Sequence, residues 1–218
     1  MSDNVLIVMG HNGQPRFEGY SQIAKASVEK FGYKCAMFVM DDPVYQKYPF
    51  YMKSEILHLA FETGLHDWVV WMDVDSIMVN PIDELFTENY DLALPTKERE
   101  ARKPRQHGSF LYAGFSVWKV GEGARWILDK YLEHNVSCDQ KELHGIIGKE
   151  MTLDKSVFDR VGEIVTTDHF KLKLLDQDVY FHMDAIKEMR PWEEHVKLLH
   201  FKGRYLQQKW NEYQRFIC

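Results

Sequence analysis

The sequence predicts an α/β fold, a Rossmann-like central sheet flanked by helices in a single domain over residues 1–218. Three observations predict it. Short β-branched and aromatic runs alternate with helix-period segments through the first half of the chain. The first run, Asn4 to Met9, lies close to the N-terminus and leads into Gly10-His11-Asn12-Gly13, a strand-to-loop arrangement that suits nucleotide binding. A second run, Trp68 to Met72, is wholly apolar, as a strand buried on both faces should be, and ends in Asp73-Val74-Asp75.

The elements follow in order. After the first strand, Tyr20, Ile23, Ala24, Ser27, Val28 and Phe31 recur at helical spacing, and Gly32 ends that helix. Lys34 to Met40 is the second strand, closed by Asp41-Asp42-Pro43. Pro49 precedes a helix with Lys53, Ile56, Leu57, Ala60 and Phe61 along one side. The acid-tipped central strand comes next, then a short helix from Asp83-Glu84 and a strand over Asp91 to Pro95. Thr96 to Ser109 is strongly basic and reads as a solvated loop, or as a mobile flap beside a site for negative charge. Phe110 to Val120 alternates like a strand around Ala113-Gly114, where a glycine marks close approach by a ligand or backbone. Gly121 to His134 is a helix, and Asn135 to Val165 is read only as loops with short elements. Lys171 to Leu175 is a strand, and Asp176-Gln177-Asp178 opens a helix carrying Val179, Met183 and Ile186. Asp176 can serve there as an ordinary N-cap. Val196 to Phe201 is the last strand, followed by Lys202-Gly203-Arg204.

In an extended strand Asp73 and Asp75 point to opposite faces. If the chain turns at Val74, both reach one site, where a hard divalent cation and a phosphate ester fit. The competing reading of the pair is a strand end in solvent. Against it, the acids follow a fully apolar run and lead straight into Ile77-Met78-Val79.

Composition narrows the function classes. With 27 basic and 33 acidic residues the chain carries −6, which argues against a protein held on nucleic acid by phosphate contacts. The three cysteines are widely spaced and form no CxxC pair, so neither a disulfide framework nor a structural zinc site is expected. No signal peptide or membrane span is legible, and a cytoplasmic location is expected, the host cytosol if the chain is viral. The abrupt end at Phe216-Ile217-Cys218 is compatible with one domain of a longer multidomain protein.

DVD after an apolar strand, AGFSVW in the strand beyond, DQD at a helix start and the late LLHFKG together resemble the GT-A family of nucleotide-sugar glycosyltransferases. Their order and spacing match the family over most of the chain. The likeness is strongest to viral capsid glycosyltransferases. It extends more distantly to plant xyloglucan xylosyltransferases and bacterial lipo-oligosaccharide galactosyltransferases. The resemblance implies a mixed central sheet, with a nucleotide-binding half over about residues 1–95 and an acceptor and catalytic half over about 96–218. It implies that Asp73, Asp75 and His200 hold Mn²⁺ or Mg²⁺ together with the diphosphate of a UDP-sugar donor, a donor set reasonable for Mn²⁺. Lys202 and Gly203 then hold the departing nucleoside diphosphate, and Gly10, His11 and Asn12 line the uridine pocket. Lys53 is the cation near the nucleotide, and Ala113 and Gly114 border the donor sugar. Asp176, Gln177 and Asp178 face the reacting carbon or its hydroxyls, where a carboxylate is a general base in an inverting enzyme. The acceptor implied is a glycan or glycoprotein. One departure from the family is Tyr112-Ala113-Gly114: many relatives have an Asn just before the Gly, and that Asn usually touches the donor sugar.

Two other readings differ in class. Haloacid-dehalogenase-type Mg-dependent phosphatases also end an apolar strand in DxD, but near the start of their fold, whereas two β-α units precede Asp73 here. A non-catalytic nucleotide-sugar-binding module would keep the fold without turnover, and the loss of DVD or His200 would have pointed to it. Both are present.

Overall fold

The computed structural model describes residues 4–47, 51–97, 110–133, 139–180 and 194–201. Lys202 and Gly203, residues 98–109 of the basic stretch, and Met183 and Ile186 lie outside the described residues.

The elements run β1 (Val5–His11), α1 (Pro15–Glu29), β2 (Lys34–Val39), α2 (Pro43–Lys47), α3 (Tyr51–Glu62), β3 (Trp68–Met72) and β4 (Ser76–Met78). A 3₁₀ turn at Asp83–Phe86 leads to β5 (Leu92–Pro95), β6 (Phe115–Lys119), α4 (Glu122–Glu133) and α5 (Asp139–Glu150). A second 3₁₀ turn at Lys155–Arg160 leads to β7 (Ile164–Thr166), β8 (Lys171–Leu175), α6 (Gln177–Tyr180) and β9 (Leu198–His200).

Seven strands form one mixed sheet in the order β2-β1-β3-β6-β5-β8-β7, and β4 and β9 make a separate antiparallel pair. β1 is parallel to β2 and β3, while β6 is antiparallel to both β3 and β5. β8 runs parallel to β5, and β7 runs against β8.

Both faces of the sheet are apolar because alternate residues supply separate cores. In β3, Val69 and Trp71 pack with α3, α4 and α5 side chains such as Ile56, Leu128 and Ile147. Trp68, Val70 and Met72 pack on the other side with Ala24 and Val28 of α1. Full burial of one such side chain contributes about 1.5–3 kcal/mol, so an unbroken WVVWM run is what the middle of this sheet requires. A third cluster joins Ile77, Leu199 and Phe201 of the small sheet region to Tyr20 of α1.

Three expectations are corrected. The strand expected over Phe110 to Val120 begins only at Phe115; Leu111 makes one isolated bridge to Thr96, so Ala113-Gly114 stand at the strand's entry and not within it. The region read as loops contains the twelve-residue α5. Its Gly145 and Gly148 lower helix propensity by about 1 kcal/mol each, and packing of Leu143, Ile146 and Ile147 on the α4 face prevails. The short α2 was also not anticipated.

Candidate active site

The strand directions decide which residues can meet. The C-terminal ends of β1, β3, β5 and β8 and the start of β6 lie along one edge of the sheet. That edge is where open α/β sheets bind ligands. Asn12, Asp73, Thr96, Gly114 and Asp176 all fall on it.

Asp73 leaves β3 with its amide N–H donating to Gly114 O at 2.9 Å, and the chain then turns, Ser76 N–H donating to Asp73 O at 3.0 Å. β4 follows at once and pairs with β9, Ser76 standing opposite His200. Phe201 N–H donates to Asp75 O at 2.9 Å, so the DVD turn and the last strand are sewn together. One side-chain ligand atom from each of Asp73, Asp75 and His200 lies within 4.8 Å of the others. His200 Nε2 is 3.3 Å from Asp75 Oδ1, with the imidazole buried and the carboxylate a quarter exposed. The turn at Val74 is thus formed, and two carboxylates with one imidazole fit a divalent cation such as Mn²⁺ or Mg²⁺.

Lys53 comes from α3 beneath the edge and is buried. Its Nζ donates to Ala113 O at 2.7 Å and lies 3.4 Å from Asp73 Oδ1, so it ties α3 to both the DVD turn and the entry of β6. Trp71 Nε1–H donates to the same Asp73 oxygen at 2.7 Å.

On the neighbouring strand, His11 is buried, and its Nδ1 accepts the Gly13 N–H at 3.2 Å. Burial lowers its pKa, with Glu18 partly opposing, so the ring is neutral at pH 7 and carries its proton on Nε2. Gly13 has φ +73°, the left-handed conformation that closes this turn without a Cβ penalty. Gly10 lies inside β1, and a Cβ there would meet Ile56 Cδ1 at 2.4 Å, so it lets α3 pack close against the strand. Asn12 is buried beside them.

Asp176, Gln177 and Asp178 lie on the same edge but off β8, with β6 and β5 between them and β3. Asp176 is exposed and accepts the Asp178 N–H at 2.8 Å, the capping role open to it from sequence. Gln177 is buried, and its Oε1 has no hydrogen-bond partner among the described residues. A buried amide oxygen left unsatisfied costs about 1–3 kcal/mol, so this one suits a ligand hydroxyl. Lys197 N–H donates to Val179 O at 2.7 Å, linking α6 to the segment that carries His200. Tyr180 donates to Glu84 at 2.9 Å, and burial pushes its phenol well above the ordinary range.

Two residues of this region were not singled out from sequence. Trp71 had a readable signal, since it precedes Asp73 by two positions in a strand and so shares its face. Asn80 had none: its side-chain amide donates to Glu194 O and Val196 O at 2.9 and 2.7 Å, carbonyls far away in sequence.

No protein-family model matches the chain, and no curated protein matches it in sequence. Among solved structures it is similar to a glycosyltransferase involved in glycosylation of the major capsid of PBCV-1, at 13% identity and TM-score 0.61, over 95% of this chain and 98% of that one. It is similar also to the galactosyltransferase LgtC in complex with donor and acceptor sugar analogs, at 10% identity and TM-score 0.55, over 97% and 95% of the two chains. A third is the apo-form glycosyltransferase GlyE of Streptococcus pneumoniae TIGR4, at 13% identity and TM-score 0.55, over 98% of this chain and 60% of that one. At such identities the fold is what is shared, and it agrees with the mixed sheet and its DVD edge: this chain has the GT-A glycosyltransferase fold.

Proposed function

We propose that the protein is a metal-dependent glycosyltransferase that moves a sugar from a UDP-sugar to a glycan or glycoprotein acceptor. The observation that carries this is the convergence of Asp73, Asp75 and His200 at the strand-end edge of a GT-A sheet. A divalent cation held by these three supplies positive charge that offsets the charge on a departing nucleoside diphosphate.

The rest of the edge divides by chemistry. Gly10, His11 and Asn12 would line the nucleoside pocket, the neutral His11 offering an Nε2–H donor to a base or ribose oxygen. Lys53, in reach of both Asp73 and Ala113 O, is the cation near the nucleotide, and Ala113 and Gly114 border the donor sugar. Gln177 brings a buried acceptor for a sugar hydroxyl. Asp176 and Asp178 are carboxylates at the start of α6, and either can take the proton of an acceptor hydroxyl in an inverting reaction. In that reaction the acceptor oxygen bonds to the anomeric carbon as the bond from that carbon to the diphosphate oxygen breaks. Lys202 and Gly203, outside the described residues, follow His200 closely enough in sequence to meet the diphosphate.

The test is turnover of a panel of UDP-sugars with Mn²⁺, following release of UDP, beside a generic phosphate ester. Release of UDP from one sugar and an intact ester support the transferase. Hydrolysis of the ester with no UDP released would replace it with the phosphatase reading, and binding of UDP-sugar without turnover would leave a binding module.

A further inference from the structure

Trp71 and Asp73 lie two residues apart at the end of β3, so both side chains rise from one face of the strand. The indole is almost wholly buried at 2% exposure, among Met52, Ile56 and Leu57 of α3. Packing accounts for the ring but not for its polar edge, which a phenylalanine would lack. That edge is aimed: Nε1–H donates to Asp73 Oδ1 at 2.7 Å. An indole N–H only donates, so its acceptor is best an ionised carboxylate.

Lys53 shares the same oxygen at 3.4 Å, and its Nζ stands 5.0 Å over the Trp71 ring. The two contacts differ in kind. An ammonium is a rotatable point charge and stabilises Asp73⁻ without fixing its plane. An indole locked in a packed core gives a single direction. Carboxylates that bind metals are themselves held by hydrogen bonds, and loss of such a partner typically weakens metal affinity about 10- to 100-fold.

We propose that Trp71 is a positioning residue for divalent-cation binding, its indole N–H holding the Asp73 carboxylate in the orientation that converges with Asp75 and His200. This rests on the reading of those three as a cation site.

The test measures Mn²⁺ affinity in the presence of UDP for the wild type, for Trp71→Phe, and for protein with benzothienylalanine at position 71. The last keeps the fused ring and its volume but replaces N–H with sulfur, so it remains informative if the phenylalanine variant is poorly folded. The dissociation constant for Mn²⁺ is expected to rise about 10- to 100-fold in both replacements. Thermal unfolding of the benzothienyl protein in EDTA should match the wild type. In ¹⁵N-labelled wild type, Mg²⁺ with UDP should shift one indole N–H resonance, identified by its absence from Trp71→Phe. Wild-type Mn²⁺ affinity in the benzothienyl protein, or an unmoved Trp71 resonance, overturns the proposal while leaving the cation site standing. Failure of the wild type to bind Mn²⁺ at all overturns the site and the proposal together.

Discussion

Gly10 sets how closely α3, the helix that reaches the DVD turn, approaches β1. The Cβ that any other residue would carry falls 2.4 Å from Ile56 Cδ1, and Met52 stands behind at 3.5 Å. Gly10→Ala must therefore displace either the Ile56 side chain or α3 itself, and α3 is what delivers Lys53 to Asp73 and Ala113. Overpacking of this kind destabilises by about 1–3 kcal/mol. Ile56→Val removes the offending methyl at a cost of about 0.5–1.5 kcal/mol on its own. Urea unfolding of the single and double variants is expected to show a double variant clearly more stable than the sum of the two losses implies. Strict additivity would mean that the close approach at Gly10 does not matter.

At the scale of elements, β9 is the part that makes a cluster out of two acids. It is three residues long and, among the described residues, pairs with the equally short β4 alone, so its ladder is a weak hold on His200. Asn80 reinforces it through Glu194 O and Val196 O, and Val79 N–H adds a bond to Lys197 O at 2.9 Å. Asn80→Ala should lose about 1–1.5 kcal/mol of local stability, and hydrogen exchange at the amides of Val79, Lys197 and Phe201 should quicken about tenfold. Unchanged exchange at those amides would remove Asn80 from the support of the site. These long-range ties also mark where sequence legibility ends. The DVD strand was readable because burial on both faces imposes a continuous apolar run. The carboxylate pair was readable because it follows a fully apolar run and leads straight into Ile77-Met78-Val79, which weighs against a strand end in solvent. The twelve-residue α5 was not, since its two glycines break the propensity that periodicity relies on. Neither was Asn80, whose partners become neighbours only once β4 and β9 pair.

For the molecule as a whole, three histidines link stability to pH. His11, His66 and His144 all have pKa values lowered from 6.5, in each case chiefly by burial. The folded state therefore favours their neutral forms. As pH falls through about 6.5 the unfolded chain takes up protons that the folded chain resists, so stability drops, and the loss levels off below the folded pKa values. Urea midpoints are expected to fall between pH 7.5 and pH 5, and His144→Gln should flatten part of that slope. A midpoint constant over this range would contradict it.

The turn that ends β3 and the separate β4–β9 pair together bring one ligand atom from each of Asp73, Asp75 and His200 within 4.8 Å of the others, and the proposed activity depends on that convergence. Calorimetric titration of UDP into the protein, first with Mn²⁺ and then with EDTA, tests it most directly, with Asp75→Ala alongside. Saturable heat with Mn²⁺ is expected, vanishing in EDTA and in Asp75→Ala while the thermal unfolding of that variant in EDTA stays close to wild type. Binding of UDP that persists unchanged in EDTA or in Asp75→Ala, or no binding under either condition, would contradict a metal-dependent nucleoside-diphosphate site.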